Sequence, residues 1–419
     1  MSPSRGADPS AVRRAWWASV LMLGAVVITP VLLGVLSVQA QADIGVTNQE
    51  LALCVTGFWA CTAIGAAVGA GYADRAGWRR AAVIGLALCF VGQLGIAASP
   101  SMAVLMASLA LGGVAYGIVA PTSNVVLARE IPPRLHGVAL GVKQSAGPVA
   151  GLVAGLAVPV VALTIGWRWA FVMVALVPLA ATAISAIGWS RRPAVRVERR
   201  DESPTRTVPQ DGSSTRAGSV SDAADPPSLS IIRITIAAGL GTLSIGVLTT
   251  FSVQTLVRSG VEVATAGLII AVSSLASVLV RLGAGWLTDR RGSDGLIPGG
   301  LMIGLGAVGL VAIASGSTAA TVAGTLLAFC GAWGWPALLL LGVMTYHPRD
   351  TGRASGRFQI GTAIGAASGP ALFAFVSDLT SFTVGWLVVA GLTGVSSLLV
   401  LHAARGRGPR IRVAALSGS

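Results

Sequence analysis

Two basic residues stand inside stretches that are otherwise apolar, Arg281 in SVLVRLGAGW and Lys143 in ALGVKQSAG. Ionisable groups within a membrane-length apolar run are expensive to keep there and mark function by default. A guanidinium is a planar fork of donors that suits carboxylates and other oxyanions. Arg281 lies eight residues before Asp289, which is about 12 Å along a helix and so near mid-membrane. We read it as an anion ligand; the alternative is a structural arginine bonded to backbone carbonyls or a distant side chain. Lys143 is the only lysine of the chain. It starts about 8 Å inside its helix, so it either faces a cavity or snorkels to the nearby surface. No carboxylate stands near mid-membrane: Glu50, Glu262 and Asp378 lie toward one end of their stretches, Asp74 and Asp289 toward the other. Gln144, Gln359 and Asn124 are neutral hydrogen-bonding groups in the same stretches and complete the expected substrate-binding set. Tyr116, Trp333 and Trp335 are further candidates, the tryptophans with core or interface packing as the alternative.

The elements that carry these residues follow from composition. The chain has 419 residues, 54% of them hydrophobic and 11% charged. Soluble proteins carry about 25% charged residues, so an ordinary soluble domain is excluded, as is disorder over most of the chain. A membrane helix needs roughly 20 apolar residues. Twelve such stretches are expected, at 15–38, 50–73, 80–98, 102–125, 138–163, 167–189, 231–256, 263–287, 296–315, 318–342, 355–377 and 381–403. With the N-terminus placed in the cytoplasm, 25 arginines fall in cytoplasmic segments and only Arg168 and Arg258 on the opposite side. That asymmetry is the positive-inside pattern, and it places both termini in the cytoplasm. It also accounts for the net charge of +13, so nucleic acid is not an expected partner while membrane lipid is. Ala40 and Ala42 mimic a signal-peptidase site, but the run before them is too long for a signal peptide and is read as an uncleaved first helix. Cys54, Cys61, Cys89 and Cys330 all lie inside apolar stretches, and no structural disulfide is expected.

An internal repeat organises the twelve stretches. At a fixed offset of 215 residues, Asp74, Arg75 and Gly77 fall on Asp289, Arg290 and Gly292, and Pro121 falls on Pro336. At the same offset Pro133, Arg134, Gly137, Ala139, Gly141 and Gln144 fall on Pro348, Arg349, Gly352, Ala354, Gly356 and Gln359. The chain is therefore two related halves of six spans each. Domain boundaries are expected as a tail over 1–14, a first six-helix bundle over 15–189, a second over 231–403 and a tail over 404–419. The stretch 190–230 is rich in Arg, Asp, Ser and Pro and poor in large apolar residues, so it is expected as a disordered cytoplasmic linker.

Two segments at the repeat offset, GAGYADRAGWRR (69–80) and GWLTDRRG (285–292), each follow an even-numbered span. The pattern G-x-L-x-D-R-x-G at this place resembles the signature loop of the major facilitator superfamily. The second copy matches in full at Gly285, Leu287, Asp289, Arg290 and Gly292. The first has Ala70 at the leading glycine but keeps Asp74, Arg75, Gly77, Arg79 and Arg80. The resemblance covers nearly the whole chain. It implies an all-α membrane protein of twelve transmembrane helices in two pseudo-symmetric six-helix bundles. It further implies a gating role for Asp74, Arg75, Gly77, Arg79, Arg80, Gly285, Asp289, Arg290 and Gly292. The alternative is charge that serves topology alone. Gly147-Pro148-x-x-Gly151 partly resembles the fifth-helix motif of the family's antiporters, and glycine-rich packing explains it as well. The run Arg281-x-x-x-Gly285 is similar to the eighth helix of carboxylate-transporting branches.

These features point to a secondary active transporter working by alternating access on a small organic or inorganic anion. No GxxxxGK[ST] phosphate loop is present, so energy is expected from a gradient, with a coupled proton or a counter-anion as co-substrate. The alternative is a drug/proton antiporter that exports small hydrophobic compounds; the absence of a mid-membrane carboxylate argues against cationic drugs. His136, His347 and His402 form no metal or nucleophile cluster, so neither an enzyme nor a cofactor is expected. A non-transporting sensor on the same scaffold is a third reading. Heavy use of Arg, Ala and Gly suggests a bacterial plasma-membrane protein, and the family resemblance implies a monomer.

Overall fold

The computed structural model describes residues 9–130, 142–186, 230–347 and 351–405. The expected linker and most of both tails lie outside them. Among the described residues twelve helices are long and apolar enough to cross a membrane. In chain order these spans are Val12–Val35, Asn48–Gly69, Trp78–Ala97, Met102–Val126, Val142–Ala162, Trp167–Ser185, Ile231–Arg258, Val263–Thr288, Leu296–Ala314, Thr318–Tyr346, Ala354–Leu379 and Phe382–Arg405. All-helical structure is what hydrocarbon demands, because a helix pairs its backbone groups internally. The first helix begins at Pro9, inside the stretch read as a tail. Proline suits a first helical turn, whose N–H groups have no intrahelical partner.

The start and end signals are local. Thr47 and Glu50 form a reciprocal cap on the second span: the Glu50 carboxylate accepts from the Thr47 N–H at 2.8 Å, and the Thr47 hydroxyl accepts from the Glu50 N–H at 3.2 Å. Gly77 and Gly292, related by the repeat, have φ of 86° and 60°. Only glycine takes that conformation without strain, so each reverses the chain after its signature helix.

Packing follows the repeat. The first span lies on the fourth, fifth and sixth, as the seventh lies on the tenth, eleventh and twelfth. The second and third lie on the fourth, as the eighth and ninth lie on the tenth. The halves meet along three lines: first against seventh, fifth against eighth, and second against eleventh. The latter two are exchanged by the repeat, so the two bundles are pseudo-symmetric in space as well as in sequence.

Small residues set the approach distances. A Cβ on Gly117 would strike the backbone of Thr62 and Ala66 in the second span. Gly309 and Gly324 each face the other helix's backbone, and Gly239 faces Gly361 and Gly365. Without a hydrophobic effect between helices in lipid, such contacts supply much of the association energy.

The end of the bundle away from the termini is closed between the halves. Gly34 of the first span lies against the backbone of Thr249 and Thr250 in the seventh, and Gly155 of the fifth against Gly267 and Ala271 in the eighth. Gln254 donates to the Asn48 carbonyl at 2.7 Å and the Gln41 carbonyl at 3.3 Å, and Gln41 donates to Asn48 at 2.9 Å. Gln41 rides on a short helix, Ser37–Ile44, that follows the first span. Asp43 of that helix pairs with Arg168 and accepts from the Trp167 indole at 2.9 Å, while Arg168 also donates to the Ser99 carbonyl at 2.6 Å. The short helix is thus pinned to its own half and presents Gln41 to the other.

Overpacking at a backbone contact destabilises by about 1–3 kcal/mol. Gly309→Ala is therefore expected to lower the melting temperature in detergent. Gly24→Ala, where nothing lies within 4 Å of the added carbon, is expected to leave it unchanged. Equal effects of the two would show that glycine contacts do not hold the helices.

Candidate functional site

The fifth span meets the eighth and tenth along a row of positions spaced three and four apart: Gln144, Gly147, Gly151 and Gly155. That spacing puts them on one helical face. The absent side chains of the three glycines let atoms of the other half come within 3.0 Å of where a Cβ would stand. Gly147 lies under the Trp333 ring, Gly151 against the Ser274 hydroxyl and Gly155 against the Gly267 carbonyl.

Arg281 sits at the start of this row. It is 8% exposed, and its Nη1 donates to the backbone carbonyl of Gln144 at 2.9 Å. The contact joins the halves. A carbonyl partner is what the structural reading of Arg281 asks for, yet it takes one donor of a group that has five, and Nε is buried without a partner. Above it on the eighth span, Ser273 and Ser274 have buried hydroxyls without partners, while Ser277 donates to the Ser274 carbonyl at 2.7 Å. Ser274, Ser277 and Arg281 share one face, a polar stripe in an apolar helix.

Lys143 precedes Gln144. It is 2% exposed and its Nζ donates to the Asn124 carbonyl of the fourth span. The side chain turns inward rather than snorkelling. Lys143 and the carbonyl that holds Arg281 are thus neighbours along the fifth span, while the Lys143 ammonium itself is held by the fourth. Among the described residues the buried positive charge of Arg281 and Lys143 has no carboxylate beside it.

The other expected residues fall differently. Gln144 contributes its backbone carbonyl to Arg281. Gln359 is exposed, and its side-chain carbonyl accepts from Thr362 at 3.2 Å within its own helix, so it joins neither cation. Asn124 is exposed and holds Lys143. Trp335 is 1% exposed and edge-packed on Phe358, a core residue, whereas Trp333 is half-buried at the seam. In the signature loops, the side chains of Asp74, Arg75 and Asp289 lie outside the described residues. Gly77 and Gly292 make the turns, Arg79 lies beside Trp78, Arg290 covers the Trp286 ring at 4.6 Å, and Arg80 is exposed. Gly285 has open space where a Cβ would go, so in this state it makes no close helix contact on that side. Sequence reasoning missed Ser273 and Ser274, which have no charge to betray them, and the amides Gln41, Asn48 and Gln254.

Comparison with known proteins adds the family. The pattern described as Major Facilitator Superfamily matches residues 15–324 and 234–416. Relatives from Mycobacterium tuberculosis include a multidrug resistance protein B homolog, 33% identical over 158 residues, and an uncharacterized MFS-type transporter, 25% identical over 170 residues. These matches cover 36% and 40% of this chain but only 28% and 29% of the relatives' own length. Among solved structures, a bacterial homolog of the human lysosomal transporter Spinster is similar in an inward-facing, occupied conformation. Its TM-score is 0.69 at 14% identity, over 94% of this chain and 96% of that one. The same homolog in its unoccupied conformation gives a TM-score of 0.66 at 12% identity, over 95% and 96%. A family match that runs from residue 15 to residue 416 on this fold says plainly that the chain belongs to the Major Facilitator Superfamily of membrane transporters.

Proposed function

We propose that the chain carries a small organic or inorganic anion by alternating access, with Arg281 as the anion ligand. The observation that carries this reading is the buried pair Arg281 and Lys143, supplied by the two halves and without a carboxylate among the described residues. A guanidinium with free donors can take an oxyanion in bidentate fashion, and Lys143, next in the chain to the residue whose carbonyl holds Arg281, adds a second buried positive charge. Drawing one ligand from each half couples occupancy to the relation between the halves, as alternating access requires. Energy comes from a gradient, with a co-transported proton or an exchanged counter-anion. The signature-loop residues Asp74, Arg75, Arg79, Arg80, Asp289 and Arg290, with the turns at Gly77 and Gly292 and the open position at Gly285, form the cytoplasmic gate. The positive-inside distribution of arginines supports a cytoplasmic location for both termini in a bacterial cell. On that orientation the glycine and amide contacts described above close the outer face, in an inward-facing state of a monomeric carrier.

A second reading is export of small hydrophobic compounds. It is favoured by the name of the multidrug resistance relative from M. tuberculosis, over the limited stretch it shares. The experiment that separates the two is uptake of a labelled-anion panel into proteoliposomes under an imposed pH gradient. Arg281→Ala is expected to lower anion flux by at least about tenfold, the loss of a charged hydrogen bond. Transport of neutral or cationic compounds, with no anion flux and no effect of the substitution, would overturn the anion reading in favour of export.

Gly34→Leu is expected to prevent closure of the outer face. In that background, Thr249→Cys becomes reactive to a membrane-impermeant maleimide while uptake falls. Continued protection of the thiol would remove Gly34 from the gate.

A further inference from the structure

The seam at the fifth span holds an aromatic surface as well as charge. Gln144 and Gly147 lie one turn apart on one face, so the Trp333 ring stands about 5 Å along the helix from the carbonyl that holds Arg281. A Cβ on Gly147 would land on the Cζ3 and Cη2 carbons of that ring, so glycine is what admits the indole to the seam. Trp333 differs from the other tryptophan of its helix. Trp335 is 1% exposed within its own half, while Trp333 keeps part of its surface open and reaches across to the other half. Beside it, the Nε of Arg281 and the hydroxyl of Ser274 are buried without partners. An inorganic anion would engage the guanidinium and leave the indole unused. A purely hydrophobic compound would use the indole and leave the guanidinium bare, which is the more expensive mismatch.

We propose that the substrate is an amphipathic organic anion: an oxyanion head on Arg281, followed directly by a flat apolar body packed on the face of Trp333. The inference rests on the anion-carrier reading and narrows it to one class. The head supplies acceptors to the free guanidinium donors. The body replaces lipid or water at the indole with an aromatic or planar contact. Gly147 fixes the depth at which the two are presented together.

The test is initial uptake of three labelled probes, benzoate, acetate and inorganic phosphate, into proteoliposomes of the full chain. The variants are wild type, Arg281→Ala, Trp333→Ala and Trp333→Phe, each checked by its melting profile. Benzoate is expected to be carried at least about tenfold better than acetate or phosphate. Trp333→Ala is expected to reduce that preference by between about two- and tenfold, the range of one aromatic contact, with Trp333→Phe retaining most of it. Arg281→Ala is expected to abolish flux of all three. Acetate or phosphate carried as well as benzoate, with both Trp333 variants unchanged, overturns the amphipathic class while Arg281 dependence leaves the anion carrier standing. Absence of Arg281-dependent flux for every probe overturns both readings. Should Trp333→Ala fail to fold, Trp333→Phe carries the comparison: loss of benzoate transport together with retained acetate transport at wild-type melting behaviour overturns the stacking of a general aromatic face.

Discussion

Hydrocarbon offers no partner to a backbone N–H or carbonyl, and the molecule is organised around that constraint. It makes every crossing segment a helix that satisfies itself. Helices finished in this way have little left to bind one another with except shape, so they meet where side chains are missing. Gly117 on the second span, Gly309 on Gly324, and Gly155 on Gly267 are the same solution used three times. Among the described residues the two buried charges, Lys143 and Arg281, lie on the fifth and eighth spans, along a line where the halves meet.

The repeat builds two such lines, and they are no longer alike. At the 215-residue offset, Arg281 corresponds to Ala66, Lys143 to Phe358, Asn124 to Leu339 and Ser274 to Trp59. The row Gly147, Gly151, Gly155 corresponds to Thr362, Ala366 and Pro370. One seam is therefore cationic and lined with glycine. The other is apolar and bulkier, and it is held by a single described side-chain bond between the halves, from the Thr56 hydroxyl to the Ala367 carbonyl at 2.8 Å. The shared scaffold gives two matching hinge lines, and the divergence gives one of them its chemistry.

The scaffold was open to reading from the sequence because its signals are physical and repeated. Membrane-length apolar runs, the arginine asymmetry and the paired Asp-Arg-x-Gly segments each report on the same twelve-helix plan. The turns at Gly77 and Gly292 agree with that plan because their positive φ favours glycine. The site was legible only in part. Arg281 and Lys143 stand out as charges in apolar helices, but their partners do not. Arg281 takes a backbone carbonyl, which every residue possesses, and Lys143 takes an amide on a helix that precedes it by 19 residues. Gln359 shares its repeat position with Gln144, yet the roles differ, since the useful group of Gln144 is its main chain. The amides Gln41, Asn48 and Gln254 are ordinary polar residues until the fold brings them together.

The bond from Arg281 to the Gln144 carbonyl crosses between bodies that must move against each other in a rocking carrier. Parting the seam removes that carbonyl, and a bare guanidinium in hydrocarbon costs several kcal/mol. On the anion-carrier proposal, a bound oxyanion would replace the lost acceptor and travel with the arginine, so the empty protein would meet a higher barrier to reorientation than the loaded one. Such a barrier would suppress slippage, the idle return that dissipates a gradient.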